Sequence, residues 1–174
     1  LVGIWSLSFD VSQMLRKDME TLLGEQQLST VSLLAKQLNH ELETRLQALQ
    51  LVAETAAPAI QEGPAAMQAL LKRHPVVHAL FNGGIYATGA DGIAIADIPV
   101  AAKRLGVDYS DRDYISAALD EGKPTIGRPL IGKASRLPAC VTAAPIRDPQ
   151  GKIVGVLAGV TSLAGPNFLH SITN

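Results

Sequence analysis

Six consecutive residues, Tyr109-Ser110-Asp111-Arg112-Asp113-Tyr114, hold most of the recognisable chemistry of this 174-residue chain. Arg112 offers a rigid fork of N–H donors that matches a carboxylate two-on-two. Tyr109 and Tyr114 each offer a flat apolar ring ending in one hydroxyl, a common lining for a small-molecule pocket. Tyrosine is scarce, with three in the whole chain, and two of them fall in this run. Asp111 and Asp113 have a structural reading as well, because Asp at a helix start caps free N–H groups and suits the positive dipole end. Arg112 and Tyr114 have no capping role. Two roles stay open for Arg112: it faces a ligand carboxylate, or it pairs internally with Asp111, Asp113 or Asp97 while the tyrosines pack.

The charge around this run favours an anion. Residues 1–99 carry six Lys/Arg and ten Asp/Glu, whereas residues 100–152 carry nine Lys/Arg and six Asp/Glu. Arg128 and Lys133 belong to the basic segment and join Arg112, Tyr114, Tyr109 and Asp113 as candidate ligand-binding residues; the plainer reading of each is a solvated surface charge. The chain as a whole has a formal charge of −1 and a pI near 6.5, which argues against nucleic acid as the partner.

Catalytic arrangements are missing from the sequence. There is no GxxxxGK[ST] or GxGxxG phosphate loop and no GxSxG elbow, and neither Ser110 nor Ser135 has a histidine nearby in sequence. Asp111 and Asp113 flank Arg112, so mutual neutralisation is a better reading than proton transfer. No nucleophile–base–orienter set is present, and the chain reads as a non-enzyme with no cofactor and no metal site. His74 and His78 are spaced four apart, but Pro75 between them argues against the helix that would put both on one face. Cys140 stands alone and reads as a small buried hydrophobe.

The elements that must position these residues begin with a long helix. From Val11 to Ile60 the first proline is Pro58, and Leu28, Val31, Ala35, Leu38, Leu42, Leu49, Val52 and Ala56 form a stripe at three- and four-residue steps. A helix of ~45 residues would be ~65 Å long, so it must project, bend or pair with a second chain. Gly63-Pro64 starts a short helix over 65–73, closed before Pro75. Val76 to Phe81 reads as a β-type run. Residues 85–88 and 93–96 flank Gly89-Ala90-Asp91-Gly92 as a hairpin, and 111–121 reads as a helix ended by Gly122. Strands over 125–131, 139–146 and 153–161 follow, the last two joined by Asp148-Pro149-Gln150-Gly151. The expected fold is α+β, a long N-terminal helix on an antiparallel sheet of about five strands. No segment reaches the ~20 apolar residues that cross a bilayer. Residues 1–9 are uncharged and mostly apolar with one Trp; they suit either the end of a membrane helix or an ordinary apolar helix start.

The order of these pieces resembles the Cache superfamily of extracytoplasmic sensors in its double (PDC) form. The resemblance rests on Leu38-Asn39-His40-Glu41-Leu42 with Arg45, Ala90-Asp91-Gly92, and Asp108 through Ile115. It continues through Gly127-Arg128-Pro129, Ala144 through Gly151, and Val154-Gly155-Val156-Leu157. It implies a PAS-like sheet, a periplasmic or extracellular location, a homodimeric membrane-anchored parent, and a small organic anion or amino acid as ligand. The output across the membrane would be a diguanylate cyclase, chemoreceptor or histidine kinase. Residues 1–27 would be the membrane-proximal stalk, 28–165 the membrane-distal sensor module, and 166–174 the start of a link to a following module. In the amino-acid-binding subgroup an Arg and an aromatic two residues later take the ligand carboxylate, and Arg112 and Tyr114 match them. The subgroup's later Tyr falls near Leu130, and its amine-binding Asp near Val160 or Thr161, so both are missing. An ammonium buried without an anion is costly, which favours a carboxylate ligand lacking an amine. The alternative is a dimerisation module with no small ligand.

Overall fold

The computed structural model describes residues 39–164 throughout, with Gly24, Ser29, Ser32, Leu33, Lys36 and Gln37 ahead of them. It divides into two units, Leu1–His40 and Glu41–Asn174, and every described residue of the first is helical. Apart from Gly24, the expected stalk 1–27 lies outside the described residues, as does the expected link 166–174.

The second unit opens with helix α1 over residues 41–54, which buries Leu49, Val52 and Ala53. The helix ends where Thr55 and Ala56 turn their N–H groups back three residues, to Val52 and Ala53. Pro58, in the first turn of α2 (Ala57–Glu62), has no N–H with which to extend the α1 ladder. Helices α3 (Pro64–Lys72) and α4 (Pro75–Leu80) follow, each with a proline at its start.

Helix α4 corrects the expected strand over Val76 to Phe81. Pro75 occupies a first-turn position, where a missing N–H costs nothing, so it starts the helix instead of preventing it. Burial of Val77 and Phe81 against the neighbouring helices outweighs the β-preference of the valines. His74 and His78 therefore do lie one turn apart. Each has a structural place, His74 at the N-cap and His78 with Nε2 at 2.6 Å from the Leu71 carbonyl. No three metal-ligating side chains come together among the described residues.

The sheet is antiparallel, ordered β2 (Ala94–Ile98), β1 (Ile85–Gly89), β6 (Ile153–Ser162), β5 (Pro138–Arg147), β3 (Thr125–Ile126), with β4 (Leu130–Ile131) also on β5. The described residues form six strands, in keeping with the expected sheet of about five, and Gly127-Arg128-Pro129 breaks the 125–131 run in two. Gly127 still donates to the Val141 carbonyl at 2.7 Å, but Pro129 has no N–H to offer.

Both faces of the sheet are covered, so alternate residues of one strand enter different cores. Ile85, Ala87, Ala144, Ile146 and Leu157 meet α1 to α4 on the first face. Tyr86, Ala139, Val141, Ala143, Val156, Ala158 and Val160 face the second, where Tyr109, Tyr114, Ile115 and Ala118 cover them. Gly159 belongs to the first side: a Cβ there would stand 2.4 Å from the Phe81 ring.

Candidate functional site

Three elements fold over the second face. The chain leaving β2 doubles back along it, with Ala94 donating to Val107 at 3.0 Å, Gly106 to Ala94 at 2.8 Å and Tyr109 to Gly92 at 3.0 Å. This doubled-back segment, bridged to Ile93 at Asp108, turns Tyr109 inward, 4% exposed. Asp108 then accepts the Ser110 N–H at 2.8 Å, and Arg112 donates from its backbone to Tyr109 at 2.9 Å, which bends the chain into helix α5 (Asp113–Ser116). A wider π-type turn over Ala117–Glu121 continues α5 until Gly122, at φ 63°, ends it. Helix α5 buries Tyr114 and Ile115. The third element is the hairpin between β4 and β5, closed by Gly132 N–H to Leu137 C=O and Arg136 N–H to Gly132 C=O, each 3.0 Å.

Tyr86, the one tyrosine outside the run, completes the cluster. Its β6 partner is Ala158, which pairs in turn with Ala143 of β5, so a row of small side chains leaves room for the ring. The Tyr86 and Tyr109 rings lie 4.7 Å apart between centroids, and the Tyr86 and Tyr114 hydroxyls are 3.0 Å apart. Burial pushes the Tyr109 phenol up to about 12, and burial also raises Tyr86 and Tyr114, so all three are neutral hydrogen-bonding groups at physiological pH.

The three rings, Arg104, Lys133, Ser135 and an apolar wall including Leu130, Val141 and Val160 enclose a cavity. Its free space, about 20 Å³ for the centre of a water molecule, holds little more than one water. Outside it, Arg112, Ile131, Gly132, Lys133 and Arg136 line an open cleft of about 520 Å³ by the same measure. Gly132 and Lys133 line both spaces, so one hairpin separates the inner cavity from the outer cleft.

The cations differ in how fully they are engaged. Arg104, 5% exposed, is held by Asp97, which accepts its backbone N–H and its Nη1, each at 2.8 Å. Arg104 also donates to the Gly83 carbonyl, and its guanidinium lies 5.5 Å from the Tyr86 ring centre. The Lys133 ammonium is bonded to the Asp111 carboxylate and, at 2.7 Å, to the Asp108 carbonyl; the Tyr109 ring centre lies 5.7 Å away. The Lys133 hydrogen bond holds the Asp111 carboxyl below the usual range, and the Ser110 hydroxyl and N–H do the same for Asp108. Arg112 donates from Nη2 to the Ile131 carbonyl at 3.2 Å, while its Nε is buried without a partner.

Four of the six residues singled out in the sequence therefore meet here: Tyr109 and Tyr114 in the cavity, Arg112 in the cleft, and Lys133 in both. Asp113 is exposed at the start of α5, its carboxylate accepting the Tyr114 N–H at 2.8 Å, and Arg128 is exposed on the β3–β4 connection; neither lines these spaces. Sequence reading missed Tyr86, Arg104 and the role of Asp97, which pairs with Arg104 and not with Arg112. The alternation Ile85-Tyr86-Ala87 was the available signal for Tyr86. Arg104, in the loop after β2, had none. Cys140 is half-buried, its thiol donating to Gly127 at 3.1 Å and pushed up by burial, the opposite of an activated nucleophile.

No family model and no curated protein matches the chain. Solved structures do. The ligand-binding domain of the Pseudomonas aeruginosa PAO1 amino-acid chemoreceptor PctC, in complex with GABA, aligns at 24% identity and TM-score 0.67 over 82% of this chain and 64% of that one. The ligand-binding domain of the Pseudomonas fluorescens chemoreceptor CtaA with L-serine aligns at 24% and 0.65, over 81% and 58%. That of P. aeruginosa PctB with L-Arg aligns at 26% and 0.59, over 76% and 53%. The chain thus spans about half to two thirds of the length of these structures. Its fold is the Cache/PDC-type sensor fold that they share, as the sequence resemblance implied.

Proposed function

We propose that this domain is the extracytoplasmic sensing module of a membrane-anchored signalling protein, and that it binds a small carboxylate lacking an amine. The observation that carries the reading is the composition of the two adjoining spaces. Arg104 and Lys133 line the cavity, Arg112, Lys133 and Arg136 line the cleft, and neither lining includes an Asp or Glu. Uncharged rings and aliphatic side chains make up most of the cavity wall, so it suits an apolar body whose anionic head turns toward Arg112 and Lys133. The neighbouring structures were solved with amino acids or GABA, whose ammonium needs an anion. Here the candidate positions for that anion are Val160, an aliphatic wall residue, and Thr161, whose hydroxyl accepts from Arg45 at 3.1 Å. The buried carboxylate nearby, Asp97, is already engaged by Arg104.

The Arg45–Thr161 bond supports a relay. It joins α1 to the β6 residue that follows Val160, so a shift of the cavity wall would reach the helix through one side chain. Binding must favour one helix arrangement over another for such a shift to signal. The output domain would lie across the membrane, a chemoreceptor or diguanylate cyclase module in a dimeric parent. No helix among the described residues is long and apolar enough to cross a bilayer.

A thermal-shift panel of butyrate, succinate, GABA, L-serine and simple amines tests the assignment. Butyrate, which is GABA without its amine, is expected to raise the melting temperature more than GABA does, and Arg112→Ala should abolish the shift. Stabilisation that survives Arg112→Ala would remove Arg112 as the anchor. A flat response to the whole panel would favour a ligand-free dimerisation module.

A further inference from the structure

We propose that Asp111 is a built-in stand-in for the ligand's carboxylate: it pairs with the Lys133 ammonium and is displaced when an anionic ligand binds. The inference rests on the carboxylate reading above and adds to it a residue that sets affinity by competing with the ligand.

Three observations support it. First, Lys133 is the charged residue shared by the cavity and the cleft, so an anion passing between them meets its ammonium. Second, that ammonium is already occupied, by the Asp111 carboxylate and the Asp108 carbonyl, with the Tyr109 ring beneath it. Arg112 next door keeps a buried Nε with no partner, so the pair of cations consists of one satisfied group and one that is not. Third, Asp111 can leave at little cost. Its side chain is 65% exposed, against 26% for Lys133, and its contact is a single carboxylate oxygen on a lysine. When it swings into solvent it regains its water, whereas a ligand carboxylate taking its place meets an ammonium and a guanidinium that line the same cleft.

The bond also spans two elements. Asp111 precedes α5, whereas Lys133 stands on the β4–β5 hairpin that walls off the cavity. The cavity holds little more than one water, so a ligand of several heavy atoms enters only if that hairpin shifts. Exchange of Asp111 for the incoming carboxylate releases one of the ties holding the hairpin in place, and the Arg112–Ile131 bond is another.

Calorimetric titration of butyrate and succinate into the wild type, Asp111→Asn, Asp111→Glu and Asp120→Asn tests the proposal. Asp111→Asn keeps the size and one acceptor oxygen but loses the charge, and Kd is expected to fall about two- to fivefold, the range that one exposed ion pair commands. Asp111→Glu should return Kd toward the wild-type value. Asp120→Asn, the same change of charge at an exposed site away from Lys133, should leave it unchanged; a fall there equal to that of Asp111→Asn would reduce the effect to net charge and overturn the exchange. If the wild type binds and Asp111→Asn binds equally or more weakly, the stand-in role falls while the carboxylate reading survives. If only Asp111→Asn binds, Asp111 is a stronger competitor than inferred and both readings hold. If no variant binds either acid, both fall.

Discussion

Asp97→Asn is the substitution with the largest calculable consequence. Asp97 is 0% exposed and Arg104 5%, and the carboxylate accepts two N–H bonds from Arg104 at 2.8 Å. The asparagine keeps the volume and one acceptor oxygen while removing the charge. The backbone at 97 has its own support, since Gln68 donates to its carbonyl at 2.8 Å and accepts its N–H at 2.9 Å, so the loss is confined to the pair. Arg104 is then a buried cation with no anion among its partners, which are the asparagine oxygen, the Gly83 carbonyl and the Tyr86 ring. Breaking a buried pair by removing one partner costs about 3–5 kcal/mol. At about 3–5 °C per kcal/mol for a domain of this size, the melting temperature should fall by roughly 10–20 °C. Urea denaturation followed by circular dichroism reads the free energy. Arg104→Met and the double variant complete a cycle, in which the double should cost about 2 kcal/mol or more less than the sum of the singles. A cost below about 1 kcal/mol for Asp97→Asn, or single costs that simply add, would show that the pair does not hold the floor of the cavity together.

Tyr86→Phe strands the Tyr114 hydroxyl 3.0 Å from where its partner stood, and should cost about 1–3 kcal/mol in urea unfolding; Tyr86→Phe/Tyr114→Phe should recover part of it because neither polar group remains. Alkaline titration gives a third expectation. Tyr109 is pushed up to about 12, and Tyr86 and Tyr114 also lie above their ordinary value of 10, so the folded state keeps protons that the unfolded state gives up. Their stabilising contribution is complete below about pH 10 and is lost as pH rises toward 12. Phenolate absorbance should therefore appear together with unfolding, and a phenolate signal from the native protein near pH 10 would contradict the burial of these rings.

Much of the frame is legible from local signals. Gly89-Ala90-Asp91-Gly92 marks the β1–β2 hairpin and Gly122 the end of the α5 segment, because each supplies a backbone turn that depends on a few adjacent residues. Proline was the harder mark to read. At Pro75 it starts a helix, and at Pro129 it helps to split a strand; the outcome depends on whether the neighbouring N–H groups have a partner to lose. Half of the site was legible for the same local reason. Tyr109, Arg112 and Tyr114 are adjacent in sequence, whereas Tyr86 and Arg104 reach them only through the β1–β6 register and the doubled-back segment after β2. No window of residues shows that Asp97 will be taken by Arg104 before Arg112 can reach it.

The sheet order has a consequence for how the domain is made. Strand β1 pairs with β6, the last strand among the described residues, and Leu157 of β6 completes the core under α1 to α4. On a ribosome the helices and the β1–β2 hairpin emerge first, with their apolar faces uncovered and one edge of β1 unpaired. The β5–β6 hairpin, by contrast, joins strands adjacent in sequence through a short turn and can close as soon as it appears. Assembly in that order makes β6 the closing piece: its arrival covers the helices, seals the open edge of β1 and brings Ala158 beneath Tyr86 in one step. A nascent chain that stops before Ile153 would hold nearly every residue of the cavity and still have no cavity.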